Sequence, residues 1–149
     1  MSKLAFQLFD TSVLIPYFRG WAYAALIERS ILDNRLWLSS VVLQELYAGT
    51  RSDLDKKDLD RIDRGLHAVE RVVTPRHEDW VAAGVAISRY ARLYGEIRPR
   101  DHINDLLILI GAARVDADLV TENAVDMNRW ARILRKGGWE VRVKAVTRG

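Results

Sequence analysis

The sequence of 149 residues predicts an α/β domain on a mainly parallel sheet. Three observations point there. Short apolar runs suited to buried strands alternate with longer helical patterns. Residues 104–113 are too apolar for a surface helix. Ile103, Leu106, Leu107 and Ile110 recur at helical spacing, and Leu109 and Ala113 widen the stripe. No repeat, low-complexity tract or long linker interrupts the alternation, so residues 1–149 read as one domain.

Residues 3–9 are apolar and aromatic, as a buried strand requires, and end abruptly at Asp10-Thr11-Ser12. Thr11 or Ser12 can open a helical turn over residues 13–17, limited or bent by Pro16. After the break at Gly20, residues 21–32 read as a helix and residues 36–38 as a short strand. Ser39-Ser40 then caps a helix over 41–48, stopped at Gly49 and carrying Glu45 among Leu43, Leu46 and Tyr47. Residues 51–70 are densely charged, with Leu54, Leu59, Ile62, Leu66 and Val69 near helical spacing. This is an amphipathic surface helix with a solvated charged face.

A strand over 71–74 leads to Thr74-Pro75, the expected N-cap and first position of a helix running to Tyr94. Its expected buried face is Trp80, Ala83, Gly84, Ile87, Ala91 and Tyr94. Residues 95–100 form a basic loop that would bring Arg98 and Arg100 near Asp105, or serve only as a polar connection. After the apolar helix come a strand over 117–121, a basic helix over 125–134, and the Gly137-Gly138 break. Residues 139–146 close the chain as an alternating edge strand.

Composition excludes several classes. Without Cys there is neither a disulfide nor a thiolate zinc site, and three scattered His argue against a His-based one. No apolar run is long enough to span a membrane, and the first ten residues lack the pattern of a secretory leader; a cytoplasmic protein fits. Charge is uneven. Residues 124–149 carry seven Lys/Arg against two acids, while residues 1–123 carry sixteen against eighteen. The basic segment suits nucleic-acid phosphates or an acidic partner, or simply solubility.

Asp10, Glu45, Asp105 and Asn123 all fall at strand ends or on helices that begin there. A parallel sheet collects such ends along one edge, where ligands of α/β proteins bind. Each residue also has a plainer role: Asp10 and Asp105 as helix-capping acids, Glu45 on an exposed helix edge. Together, however, they group three carboxylates with one amide, and clustered carboxylates repel one another until a cation joins them. Oxygen donors without His or Cys favour Mg²⁺ or Mn²⁺. Such an ion activates water and stabilises charge on a phosphate in transit. No G-x-S-x-G, P-loop or G-x-G-x-x-G offers a rival chemistry. The residues therefore point to metal-dependent phosphodiester hydrolysis.

Four segments carry a resemblance. They are Asp10-Thr11-Ser12 after a strand, Glu45 in a short helix, Asn104-Asp105-Leu106-Leu107-Ile108 opening the apolar helix, and Thr121-Glu122-Asn123-Ala124-Val125-Asp126 after a strand. Their order, with Asp10, Glu45, Asp105 and Asn123 spaced by 35, 60 and 18 residues, resembles the PIN domain, and more closely the VapC-type toxins of type II toxin–antitoxin pairs. The resemblance covers essentially the whole chain.

It implies a three-layer α/β/α fold and a Mg²⁺- or Mn²⁺-dependent endoribonuclease. Asp10 and Asp105 would be metal ligands, Glu45 a further ligand or the water-orienting base, and Asn123 the fourth catalytic position. Thr11 and Thr121 would supply hydroxyls beside the acids. Asp126 matches an acid that in the family precedes Phe, here Met127. Arg98, Arg100, Arg129, Arg132 and Arg135 are the candidate RNA-backbone contacts. The resemblance further implies a cognate antitoxin and a homodimer, with Trp21, Tyr23 and the early helices as candidate dimer surface. A PIN-fold binding module without catalysis is the alternative, favoured by Asn123 alone.

Overall fold

In the computed structural model, which describes residues 4–148, five parallel strands form one sheet in the order β3-β2-β1-β4-β5. The strands are β1 (Phe6–Phe9), β2 (Leu36–Ser39), β3 (Val72–Val73), β4 (Ala117–Thr121) and β5 (Arg142–Ala145). The helices are α1 (Thr11–Gly20), α2 (Ala24–Leu32), α3 (Ser40–Ala48), α4 (Asp53–Ala68), α5 (His77–Tyr94), α6 (Ile103–Arg114) and α7 (Ala124–Arg135). The expected strand start at Lys3 and the Leu54 side chain lie outside the described residues.

Strand order explains the layers. The chain steps outward from β1 to β2 to β3, then crosses back to β4 and β5. Right-handed crossovers in opposite directions put α1–α4 on one face and α5–α7 on the other. On the first face, Leu14, Ile27, Leu43 and Leu59 pack over Leu36 and Leu38. On the second, α5, α6 and α7 pack against one another. Residues 106–112 of α6 are buried without a break, as expected of a helix enclosed between neighbours and sheet. The order reverses between β1 and β4, so a crevice opens at their C-terminal ends. Asn34, Glu70 and Asp116, all with left-handed backbone, turn the chain from a helix into β2, β3 and β4.

Several elements depart from expectation. Helix α1 begins at Thr11, capped by Asp10, and continues past Pro16 to Gly20. Helix α2 starts at Ala24 rather than Trp21. Trp21 and Tyr23 both adopt left-handed backbone, an uncommon conformation for bulky side chains, so no helix can run through them. Helix α5 starts at His77, not Pro75. The Thr74 hydroxyl is engaged with Ser40, at 2.6 Å, and the first turn is instead closed by Arg76 N–H donating to Asp79 Oδ2 at 3.0 Å.

The buried face of α5 is rotated accordingly. Asp79, Ala83, Ala86 and Ile87 point inward, while Trp80 is 53% exposed and Gly84 and Tyr94 face out. The cause is Arg114, whose guanidinium pairs with the buried Asp79 carboxylate and turns that residue into the core. Helix α6 begins at Ile103 after a 3-10 turn over Pro99–Asp101, with His102 at the cap position. Strand β5 is shorter than residues 139–146. Trp139 stays outside it, with the Arg114 guanidinium over its ring at 5.4 Å. Among the described residues, no helix is long and apolar enough to cross a membrane.

Candidate active site

Asp10 directly follows β1 at the strand-order reversal and is 4% exposed. A buried carboxylate needs donors, and the local sequence supplies them. The Thr11 N–H donates to Oδ1 at 2.8 Å, the capping bond of α1. The Ser12 hydroxyl donates to Oδ2 at 2.9 Å. Across the crevice, the fully buried Thr121 hydroxyl at the end of β4 donates to the same oxygen at 2.8 Å. The plain capping role and the site role of Asp10 thus coexist.

The same hydroxyls hold the next loop. Glu122 N–H donates to Ser12 Oγ at 3.0 Å, and Asn123 N–H to Thr121 Oγ1 at 2.9 Å. The loop between β4 and α7 is therefore tied to Asp10 through two side-chain oxygens, each accepting on one side and donating on the other.

Glu45 lies in the middle of α3, half-buried, and accepts from the Thr11 hydroxyl at 2.9 Å. Burial pushes its carboxyl above the usual range. The Thr11 bond opposes that rise, and the Asp10 charge adds to it. Asp105 occupies the third position of α6. Burial raises its carboxyl to about 6, reinforced in turn by Asp10, Glu45 and Asp126. Asp105 thus feels the charge of three other carboxylates, and Glu45 that of Asp10.

Hydrogen bonds join Asp10, Thr11, Glu45 and Thr121, and the charges of Asp10 and Glu45 reach Asp105, so these residues gather at the C-terminal edge of the sheet. Asp126 joins them by facing Asp105 across a cleft beside α7. Asn123 caps α7 with an exposed side chain, and its backbone N–H makes its bond to the site. The fourth charge near Asp105 is thus that of Asp126. Arg129 lines the same cleft. Arg98 and Arg100 are exposed on the loop and 3-10 turn before α6, and Arg132 is exposed on α7. Arg135, at the far end of α7, pairs with Glu140 at 3.3 Å.

Four participants, Ser12, Glu122, Tyr23 and Arg148, are not among the site residues expected from sequence. Ser12 was legible as part of a hydroxyl pair after the strand, but its bond to Asp10 depends on the turn of α1. Glu122 accepts from the Tyr23 hydroxyl, and from Arg148 Nε and Nη2 at 2.9 and 3.2 Å. Those bonds lower the Glu122 carboxyl; burial first, and then the Glu122 bond, push the Tyr23 phenol up to about 12. They span 99 and 26 residues, beyond any local signal.

The donor set consists of oxygens alone, which suits a hard cation such as Mg²⁺ or Mn²⁺. Among the described residues, no three His, Cys, Asp or Glu side chains are gathered tightly enough to hold an ion by themselves. A cation that keeps part of its water shell fits such an open set better than one needing a full protein cage.

Comparison with known proteins agrees with this architecture. The PIN domain profile matches residues 8–132. A search of curated protein sequences finds no match. Among solved structures, DNA-bound VapBC from Salmonella typhimurium aligns with a TM-score of 0.65 at 20% identity, over 95% of this chain and 98% of that one. VapBC2 from Rickettsia felis, bound to a DNA fragment from its promoter, gives 0.63 at 19% identity over 95% and 99%. FitAcB from Neisseria gonorrhoeae gives 0.59 at 19% identity over 93% and 96%. At these identities the likeness is one of fold.

Proposed function

The chain belongs to the PIN domain family, and from that premise we propose that it is a Mg²⁺- or Mn²⁺-dependent endoribonuclease, the toxin of a type II toxin–antitoxin pair. The observation that carries this reading is the grouping of Asp10, Glu45 and Asp105, where burial first, and then the charges of its neighbours, raise the Asp105 carboxyl to about 6. A protein gains nothing in stability from such a group, and a bound cation removes its cost.

Asp10 and Asp105 would hold the cation, with Glu45 beside them. When bound, it would supply Lewis acidity and an acidified water. The protein's own part is positional. Three donors fix Asp10. Thr11 aims Glu45, whose raised carboxyl makes it a stronger base for the proton of an attacking water. That water forms a bond to phosphorus as the bond to the leaving sugar oxygen breaks. Arg98, Arg100, Arg129 and Arg132 are the exposed cations available to the RNA backbone, which they would position without reading its sequence.

The VapBC and FitAcB folds support a cognate antitoxin as partner, acting with this chain in the cytoplasm. A homodimer belongs to the same reading, with exposed Trp21, Phe18, Ile31 and Leu32 as its candidate surface.

The test is calorimetric titration of Mn²⁺ into wild type and Asp105→Asn, with RNA cleavage assayed on the same samples. Metal binding and cleavage should be lost together in the variant while it stays folded. Undiminished cleavage by Asp105→Asn would overturn the reading. RNA binding by wild type without cleavage in Mg²⁺ or Mn²⁺ would favour the binding module instead.

A further inference from the structure

A run of aromatic rings leads from solvent to Asp105. Tyr94, 67% exposed at the end of α5, has its ring 4.9 Å from that of Tyr90. Tyr90 lies 5.0 Å from Trp130 of α7, their planes inclined by 31°. The His102 ring at the cap of α6 lies 5.4 Å from Trp130. Tyr90, His102 and Trp130 line the same cleft as Asp105, Asp126 and Arg129, and Tyr90 and His102 are only half-buried. The metal and base chemistry assigned to Asp10, Glu45 and Asp105 has no use for these rings.

We propose that this cleft is a nucleobase subsite, in which a base of single-stranded RNA next to the cut phosphodiester stacks against Tyr90 and His102. The inference rests on the nuclease reading of the acidic crevice. The cleft's own charges say which part of the nucleotide enters. Asp126, the lining carboxylate that the metal chemistry does not use, repels a phosphate, whereas a base edge offers N–H groups it can accept from. Arg129 at the same cleft is placed for the backbone phosphate that follows the base. Unstacked bases of single strands are held in this manner, by aromatic faces and hydrogen bonds to their edges. The exocyclic amines of adenine, guanine and cytosine match Asp126; uracil carries none. Sequence preference of cleavage then originates at this position.

Two measurements test it. In the first, 2-aminopurine is placed singly along a short single-stranded RNA, and its fluorescence is followed on mixing with wild type in EDTA, where no cleavage occurs. Quenching at one position is expected, and its loss in Tyr90→Leu and His102→Ala, each checked for a native melting transition. Absence of quenching at every position, or the same quenching in both folded variants, overturns the subsite. In the second, wild type with Mn²⁺ cuts RNAs made abasic, or carrying uracil, at each position beside the cut. One position should lose roughly 5- to 150-fold in kcat/KM when abasic, the range a single stacked base supports. Equal cutting of all these substrates overturns the subsite while leaving the nuclease intact. Quenching without cleavage by wild type would instead sink the nuclease reading and leave the subsite standing.

Discussion

The Thr11 hydroxyl donates to Glu45 Oε1 at 2.9 Å while the Thr11 N–H donates to Asp10 Oδ1 at 2.8 Å, so one residue sets the relation between two acids. The hydroxyl also lowers a Glu45 carboxyl that burial and Asp10 raise. In Thr11→Val the backbone bond survives and the hydroxyl bond does not. Glu45 then titrates higher, so the acid limb of the RNA-cleavage profile should move to higher pH. Loss of aim should lower kcat by about tenfold or more, part of what a general base contributes. Thr11→Ser should restore both. A pH–rate profile of the three proteins decides it. An unmoved acid limb in Thr11→Val would mean that Glu45 is not the titrating base.

Asp105 makes stability depend on pH. Its carboxyl rises from 3.8 to about 6 on folding. Below 3.8 it is protonated in both states and its full contribution to stability is present. Between 3.8 and about 6 the unfolded chain ionises first, so that contribution is lost as pH rises through about 6. The metal-free protein should therefore melt lower at pH 7 than at pH 5 on account of this group. Asp105→Asn should flatten that slope and raise the pH 7 melting temperature by roughly 2–4 °C for each kcal/mol of repulsion removed. Mn²⁺ should stabilise wild type more at pH 7 than at pH 5, since it binds the ionised form. Thermal scans at both pH values, with and without Mn²⁺, give all three comparisons.

The contrast between α6 and α5 shows what the sequence could disclose. In α6 every residue from 106 to 112 is buried, so the run of apolar residues announced its place directly. In α5 the same periodic reasoning put Trp80 inside, because it could not know that Asp79 would be drawn into the core by an arginine 35 residues away. The acids followed the first logic. Asp10 and Asp105 sit where a strand ends and a helix begins, a feature of local sequence, and parallel topology then brings those ends together. What holds them did not follow it. The bonds from Thr121 to Asp10 and from Tyr23 to Glu122 span 111 and 99 residues and depend on the strand order, which puts β4 beside β1. Asn123 matched the spacing of the fourth position and binds Thr121 through its N–H, while the fourth charge near Asp105 is that of Asp126, three residues on, which lines a cleft with it.

Thr121 is fully buried and joins both halves of the crevice, donating to Asp10 and accepting from Asn123 N–H. Thr121→Val keeps the shape and strands two polar groups. The loss should be about 2 kcal/mol or more, since hydrogen bonds to charged groups exceed neutral ones. Mn²⁺ affinity should weaken as well, because Asp10 loses one of its three donors. Thr121→Ser should recover most of both losses. Denaturant melts and Mn²⁺ titration of the two variants separate stability from site effects. Unchanged Mn²⁺ affinity in folded Thr121→Val would show that Asp10 needs no help from β4.

Asp79 and Arg114 form the buried pair on the same α5–α6 interface that presents Tyr90 and His102, but at its other end. Asp79 is 1% exposed and also accepts from Arg76 N–H, and both partners hold it well ionised, with its carboxyl below the usual range. Asp79→Ala leaves a guanidinium without its main counter-charge and the first turn of α5 without its bond. Breaking such a pair from one side costs about 3–5 kcal/mol. The cost should fall on folding alone. At a temperature where the variant remains native, its Mn²⁺ affinity and cleavage rate should match wild type, because no residue of the acidic crevice touches the pair. Urea melts paired with single-turnover cleavage read the two effects separately. A variant that kept full stability would mean the ion pair is not what turns α5. One that lost cleavage while still folded would mean that α5 transmits its register to Asp105.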